Sequence, residues 1–270
     1  MTTLPYAEVH AFSDGETPFT GNPAGVCMLD KFLPDDQLLG VAASNNLSET
    51  AFLVADGHDH WQLRWFTPAV EVDLCGHATF ASGAWVFAQE LVQGETARFS
   101  TRSGELRVSH SGSDQFKMDL PKVGFEPAIA NPAVVDALGA GSPVEALNVE
   151  RVHGAGYQML VFEDENAIAG MTPDFGLIAR ANINVIATAR GETADFVSRF
   201  FAPASGVAED PVTGSAHCTL TPYWADKFGR KRLTARQIGP RPGALTVESR
   251  DSRVQLSGRA ALYLQGEIRL

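Results

Sequence analysis

A six-residue phrase occurs twice in this chain of 270 residues, and the two copies begin half a chain length apart. The first copy is Arg64-Trp65-Phe66-Thr67-Pro68-Ala69 and the second is Arg199-Phe200-Phe201-Ala202-Pro203-Ala204. A short acidic stretch and a Gly-x-Ala turn follow each copy, at Gly76-His77-Ala78 and at Gly214-Ser215-Ala216. We therefore predict a duplicated chain with two related lobes, each of which leads a small-residue turn into a helix.

Hydrophobic periodicity predicts the same order of elements around both copies, with a hairpin before each Gly-x-Ala turn and a helix after it. The first helix is expected from about His77 to Leu91, and the second from Ser215 to Phe228. Pro222 is expected to bend or break the second helix. The inner face of the first helix is expected to use small residues and one tryptophan, namely Ala78, Ala81, Trp85 and Ala88.

Three further segments carry predictions about chain organisation. Residues 20–25 (Thr-Gly-Asn-Pro-Ala-Gly) are typical of a turn. Residues 121–132 contain three prolines and predict the crossover between lobes of 1–122 and 123–270. Arg253–Ser257 and Ala261–Leu264 predict two closing strands, the last of which could pack back on the N-terminal lobe.

Charge and cysteine usage exclude several classes of function. The net charge of −11 and the pI near 5.0 argue against a nucleic-acid partner, which requires a basic surface. Apolar runs stop well short of the ~18 residues of a membrane span, and residues 1–5 lack signal-peptide character, so we expect a cytoplasmic protein without a membrane partner. Cys27, Cys75 and Cys218 are odd in number and lack metal-type spacing, which predicts neither a metal site nor a disulfide framework.

The two helix starts are the first candidates for a binding site. The beginning of a helix offers backbone N–H groups and the positive end of the helix dipole, which together favour a carboxylate. Gly76 and Gly214 would bring such N–H groups close to a ligand, although either glycine alone is equally typical of close packing.

Glu49 is the best candidate for proton transfer. It lies in Asn46-Leu47-Ser48-Glu49-Thr50, where a loop enters a predicted strand. A carboxylate in an apolar cleft can exchange protons near neutral pH, whereas an exposed loop acid would do nothing of the kind. His77, at a helix start, could donate from a neutral ring or shuttle a proton, or it could be structural.

Asp210 and Ser215 are the corresponding candidates in the second half. Asp210 could be a second acid, could orient His77, or could hold its own turn before Pro211. Ser215 could donate its hydroxyl to the ligand or could cap the helix. A GxSxG elbow is absent around Ser215, which argues against a serine hydrolase.

Four motifs in this order resemble those of the PhzF-like phenazine biosynthesis proteins, over essentially the whole chain. They are Gly21-Asn22-Pro23-Ala24-Gly25-Val26, Asn46-Leu47-Ser48-Glu49-Thr50, Phe66-Thr67-Pro68 with Cys75-Gly76-His77-Ala78-Thr79, and Glu209-Asp210-Pro211-Val212-Thr213-Gly214-Ser215-Ala216. The resemblance implies an α+β fold of the diaminopimelate-epimerase type, with two pseudo-symmetric lobes. Each lobe would be a β-barrel-like sheet around a central helix, with the active site in the cleft between the lobes.

The resemblance also implies an activity and roles for residues. It implies a cofactor-independent and metal-free isomerisation, of the type undergone by trans-2,3-dihydro-3-hydroxyanthranilate, in a homodimeric enzyme with a small carboxylate substrate. Glu49 would move the proton, and His77, Asp210 and Ser215 would support it. Gly76, Gly214 and Thr213 would then contact the substrate.

Racemases of the same fold use two cysteines, one from each lobe, and this gives a competing hypothesis. Cys75 stands before Gly76, but Thr213 stands before Gly214 and cannot form a thiolate. Cys218 lies one helical turn further on and is expected to point away from the ligand. An amino-acid epimerase with an unusual acid pair, and a catalytically silent carboxylate-binding protein, therefore remain the alternatives. Cys75 is interpreted as a small packing residue.

Overall fold

The structure, a computed structural model, describes residues 3–112, 114–150 and 156–270. The chain divides into two compact units. One unit consists of Met1–Leu120 together with Gln255–Leu270, and the other is Pro121–Val254. The C-terminal segment thus belongs with the N-terminal unit. The sequence predicted a C-terminal lobe of 123–270, whose last strand could pack back on the N-terminal lobe.

The first unit is a closed barrel of eight strands. Its elements are β1 (Thr3–Ser13), β2 (Asn22–Leu29), α1 (Asp35–Asn45), β3 (Glu49–Ala55), β4 (His60–Phe66), β5 (Glu71–Val72), α2 (Gly76–Ala88), β6 (Thr96–Thr101), β7 (Gly104–Gly112), β8 (Gln115–Pro121) and β17 (Arg253–Arg269), with strands numbered along the whole chain. The ring runs β1-β2-β3-β4-β6-β7-β8-β17 and closes by the antiparallel pairing of β17 with β1. The β2–β3 and β4–β6 pairs are parallel, and the other pairs with a resolved register are antiparallel.

Helix α2 is the core of this barrel. Its residues from Gly76 to Val86 are all buried, which explains why alanine, glycine and serine dominate it. A Cβ atom on Gly83 would overlap the side chain of Val108 in β7, so the close approach of helix and strand requires glycine here. The predicted inner face is confirmed for Ala78, Ala81 and Trp85. Ala88 is exposed, because the helix leaves the barrel there.

The second unit repeats this plan. Its elements are β9 (Phe125–Pro127), α3 (Pro132–Leu138), β10 (Glu145–Val149), β11 (Gly156–Val161), α4 (Glu165–Ala169), α5 (Phe175–Ala181), β12 (Ile183–Arg190), β13 (Phe196–Ala202), a 3-10 turn (Pro203–Ser205), β14 (Val207–Asp210), α6 (Gly214–Phe228), β15 (Arg232–Gln237) and β16 (Gly243–Ser249). Strands β10, β11, β12, β13, β15 and β16 pair with the same alternation of parallel and antiparallel neighbours as β1, β2, β3, β4, β6 and β7. The duplication predicted from the repeated phrase therefore extends to strand topology.

Helix α6 passes through Pro222 without interruption. Proline has no N–H, so the carbonyl of Cys218, four residues earlier, loses its helical partner. That carbonyl accepts instead from the backbone N–H of Val123 at 3.2 Å. A backbone N–H from the segment between β8 and β9 thus satisfies the carbonyl, and the predicted break does not occur.

Two local predictions from the sequence are wrong. Residues 22–25 begin strand β2 instead of forming a turn, which is confined to the region of Gly21, where φ is +81°. The two predicted closing strands are one continuous strand, β17. The predicted crossover, residues 121–132, begins where the second unit begins. It contains strand β9 and the start of α3, which Asn131 caps by accepting from the N–H of Ala133. In the described residues, no helix has the length and apolar character needed to cross a membrane.

Candidate active site

The repeated arginines form the same contact in both units. Nε and Nη2 of Arg64 donate to the two carboxylate oxygens of Glu71 at 2.7 Å each. Nε and Nη2 of Arg199 donate to the two oxygens of Glu209 at 2.7 and 2.8 Å. Both glutamates lie in the acidic stretch that leads to a central helix, in β5 and β14. This two-pronged pairing holds each stretch against the preceding strand, so it fixes where each helix begins.

Three chemically active side chains meet at the start of α2. Glu49 is the first residue of β3, Cys75 is the N-cap of α2 in extended conformation, and His77 is the second residue of α2. Nε2 of His77 lies 3.3 Å from Oε2 of Glu49, and Nδ1 of His77 lies 3.6 Å from Sγ of Cys75. The imidazole therefore lies between the thiol and the carboxyl group, with one nitrogen facing each.

Burial decides the charge of His77. Its side chain is only 5% exposed, and desolvation lowers the pKa of the imidazole to about 3. The ring is thus neutral at pH 7, and its contact with Glu49 is not an ion pair. A neutral imidazole carries one N–H and one lone pair. Its Nδ1 makes the hydrogen-bond contact with Cys75, whereas Nε2 and Oε2 of Glu49 lie close together without a hydrogen bond between them.

The start of α6 carries a different network. The hydroxyl of Thr213, the N-cap, donates to Oδ2 of Asp210 at 2.5 Å. Gln237, from the end of β15, accepts from the N–H of Thr213 at 2.9 Å and donates to the carbonyl of Asp210 at 2.6 Å. Its amide nitrogen also lies 3.2 Å from the Thr213 hydroxyl oxygen. Gln237 is 1% exposed, so a buried amide holds the loop from residue 210 to 213.

A second buried histidine follows one turn into α6. Nδ1 of His217 lies 2.8 Å from the carbonyl oxygen of Thr213, so Nδ1 carries the proton and donates. Desolvation lowers the pKa of His217 to about 4, against the opposing effect of this hydrogen bond. His217 is therefore also neutral at pH 7 and reinforces the same N-cap.

The predicted site residues fall into two groups, one in each unit. Glu49 and His77 contact each other beside Gly76, the first residue of α2. Asp210 and Thr213 contact each other directly before Gly214 and Ser215, the first two residues of α6. Ser215 is not the N-cap, so that alternative is wrong.

Sequence reasoning missed two residues and one contact. Cys75, interpreted from sequence as a small packing residue, is buried and also contacts His77. His217 stands four residues after Thr213, a spacing that places it one helical turn along, and this signal was available. Gln237 comes from a strand that lies far along the chain, and nothing local in the sequence indicates its role.

The order of these groups along the chain matches a known family. The family model described as phenazine biosynthesis-like protein matches residues 9–266. The chain belongs to this family. An uncharacterized isomerase of Pseudomonas aeruginosa is 48% identical over 268 residues, which are 97% of this chain and 98% of that protein. A phenazine biosynthesis-like domain-containing protein of Homo sapiens is 37% identical over 93% of this chain and 94% of its own.

Solved structures of the phenazine biosynthesis-like family share the fold. The PhzF family protein of Enterococcus faecalis has a TM-score of 0.91 and 40% identity, with 100% of both chains covered. A hydroxyproline epimerase from Agrobacterium vitis has a TM-score of 0.62 at 12% identity, over 98% of this chain and 92% of its own. The second likeness shows the fold alone. The expected α+β fold, with a barrel around a central helix, is thus confirmed.

Proposed function

We propose that this chain is a cofactor-independent isomerase that acts on a small carboxylic acid, with Glu49 transferring the proton. The contact between Glu49 and a neutral His77, 3.3 Å apart at the start of α2, is the observation that carries this proposal. The names of the relatives as isomerases support the reaction class.

Glu49 has the surroundings that a proton-transfer group needs. Its side chain is 16% exposed, so it is largely desolvated but reachable. The neutral His77, 3.3 Å away, does not cancel the charge of the carboxylate, which leaves Glu49 able to accept a proton from carbon. His77 itself can pass a proton, because one ring nitrogen is an acceptor when the other is a donor.

The start of α6 is proposed to bind the substrate carboxylate. The amide groups of Gly214 and Ser215 and the hydroxyl of Ser215 belong to the first turn of this helix, where the dipole favours an anion. Thr213 and Asp210 are proposed to position the start of α6, because they form a hydrogen bond with each other directly before the helix. Gly76 is assigned the equivalent task at α2.

Glu49→Gln tests the proposal, since it removes the basic carboxylate and keeps the side-chain shape. We expect turnover to fall about 10³-fold, within the usual range for loss of an acid–base group. Proton exchange of candidate acids in heavy water, followed by NMR, measures it, and the panel should include trans-2,3-dihydro-3-hydroxyanthranilate. The sharper proposal is that this compound or a close analogue is the substrate.

Glu105→Gln is the matched control, because Glu105 is an exposed glutamate of β7 in the same unit. It should leave turnover unchanged. Substrate-induced thermal stabilisation should persist in Glu49→Gln, because binding does not depend on the base. Undiminished turnover in Glu49→Gln would sink the assignment.

An amino-acid epimerase is the second candidate, and the position of Cys75 favours it. The thiol lies 3.6 Å from His77, which could act as its base. The position of a second thiol is taken by Thr213, whose hydroxyl already donates to Asp210. Deuterium incorporation at Cα across a panel of amino acids separates this candidate from the isomerase, and silence across the panel disposes of it.

A carboxylate-binding protein without chemistry is the third candidate, and it would bind an acid in the panel without exchanging a proton. We also propose, from the family resemblance, a cytoplasmic homodimer. Sedimentation equilibrium at micromolar concentration would show twice the chain mass of 28.9 kDa, and a monomer would contradict this part of the proposal.

A further inference from the structure

The group at the start of α2 has the composition of a metal site. Glu49, Cys75 and His77 each offer one ligand atom, and these atoms lie within 4.8 Å of one another. From this geometry we infer that the three side chains form a binding site for a thiophilic divalent cation, with Zn²⁺ as the best fit. Neither the predicted chemistry nor the family resemblance includes a metal here.

The thiol and the imidazole already stand at the right separation. Tetrahedral Zn²⁺, with Zn–S near 2.3 Å and Zn–N near 2.0–2.1 Å, holds its sulfur and nitrogen ligands about 3.6 Å apart. Sγ of Cys75 and Nδ1 of His77 are 3.6 Å apart. A cation seated between them meets both ligands without a change in the backbone of α2.

Glu49 supplies the third ligand after a small movement. Its Oε2 faces Nε2 of His77 at 3.3 Å, on the other nitrogen of the ring. The three ligand atoms lie within 4.8 Å of one another, and ligands of one tetrahedral site lie about 3.5 Å apart, so the carboxylate must move closer to the thiol and the imidazole to reach the cation. Rotation about the Glu49 side-chain bonds provides such a shift. The fourth position stays open to water or to a carboxylate ligand.

The charges of the site balance. A thiolate and a carboxylate carry two negative charges, which one divalent cation neutralises in a largely buried place. A ring nitrogen of His77 and the sulfur of Cys75 are both ligand types that Zn²⁺ prefers. The N-cap position of Cys75 places its sulfur at the positive end of the α2 dipole.

The cation site is inferred from geometry alone. Binding of a cation would nevertheless affect the proposed function. Zn²⁺ would occupy Glu49 and His77, so it would inhibit proton transfer instead of assisting it. Metal binding and turnover are measured separately below, so failure of one leaves the other intact.

Titration of the chelator-treated full chain with Co²⁺, followed by Zn²⁺, tests the site. We expect one equivalent of Co²⁺ to give a thiolate-to-metal charge-transfer band and tetrahedral ligand-field bands, both of which Zn²⁺ abolishes. Zn²⁺ should also raise the midpoint of thermal unfolding, because it binds the native state. Absence of the charge-transfer band in the wild-type chain would overturn the inference.

Variants identify the ligands. Cys75→Ser should remove the charge-transfer band and the stabilisation by Zn²⁺. Glu49→Gln should lower the affinity for Zn²⁺ at least tenfold. Cys27→Ala is the matched control, because Cys27 is fully buried in β2 and burial raises the pKa of its thiol to about 12. Cys27→Ala should bind as the wild type does. A band that persists in Cys75→Ser, or that vanishes in Cys27→Ala, would refute the assignment, and thermal unfolding without metal checks that each variant folds.

Discussion

The starts of α2 and α6 are two solutions to one structural problem. Both helices follow an extended N-cap residue, Cys75 or Thr213, and both begin with glycine. An arginine–glutamate pair holds the acidic stretch that leads to each helix. The side chains around them differ in kind. At α2 the imidazole of His77 contacts a thiol and a carboxyl group. At α6 the Thr213 hydroxyl, the Asp210 carboxylate and the Gln237 amide form hydrogen bonds that hold the loop before the helix.

This difference separates scaffold from chemistry. The shared parts, which are the strand pairing, the arginine and the glycine, set the backbone position of each helix start. The parts that differ decide whether the start can exchange a proton or only hold a ligand. A duplicated fold can therefore remain symmetric in backbone while one copy alone carries the reactive groups.

The largest effect on stability is expected when the arginine–glutamate ion pair, which occurs once in each unit, is broken. Arg199 and Glu209 are 7% and 11% exposed, so Arg199→Met leaves a buried carboxylate without its partner. We expect the free energy of unfolding to fall by about 3–5 kcal/mol. Arg64→Met should cost less, about 1–2 kcal/mol, because Arg102 also contacts Glu71 at 2.8 Å and remains. Urea unfolding measures both, and equal losses would show that the two pairs are energetically equivalent after all.

A smaller effect is expected from Gln237, whose amide holds the loop before α6. Gln237→Met leaves the N–H of Thr213 and the carbonyl of Asp210 without the partner they have now. The expected loss is about 2 kcal/mol of unfolding free energy, typical of buried groups left unsatisfied. If α6 binds the carboxylate, the KM should rise more than kcat falls.

Gln89→Met is the control for this substitution. Gln89 contacts Gln265 in an exposed position, and its loss should cost less than about 0.5 kcal/mol. A Gln237→Met protein as stable as Gln89→Met would contradict the bracing role.

The last expected effect is on the slope of stability against pH, and it is spread over several pH units. His77 and His217 have folded-state pKa values of about 3 and about 4, below the unfolded value of about 6.5. The unfolded chain therefore takes up protons first as the pH falls. Stability from both histidines is complete above about pH 6.5 and is lost below it, down to about pH 4 for His217 and about pH 3 for His77. Each contributes a slope of up to about 1.4 kcal/mol per pH unit.

His77→Asn and His217→Asn should each flatten the curve of unfolding free energy against pH between 6.5 and 4. Other carboxyl groups titrate in part of this range, so the comparison is the difference from wild type. A variant whose curve runs parallel to wild type would show that folding does not lower the pKa of its histidine.

Much of the scaffold could be predicted from the sequence, because its signals are local. The repeated phrase, the small residues of α2 and the alternation of β3 and β4 each act over a few residues. The continuous strand β17 could not be predicted, because pairing with β1 overrides the weak pattern around Gly258. Pro222 was misjudged for a similar reason, since the donor that rescues the helix, Val123, lies far along the chain.

The candidate site shows the same division. Glu49, His77 and Asp210 could be named from motif and position. The contact between Cys75 and His77 depends on the N-cap geometry of α2, and the role of Gln237 depends on where β15 ends. Such contacts are set by tertiary packing, which no spacing along the chain encodes.

The division of the chain has a consequence for how each unit is completed. Residues 121–254 are contiguous, so the second unit is built from one unbroken segment. The first unit closes its barrel only where residues 255–270 pair with β1, which joins segments from opposite ends of the sequence. Glu49 and His77 therefore lie in a barrel that a truncation before residue 255 would leave open, although neither residue is near the position of the cut.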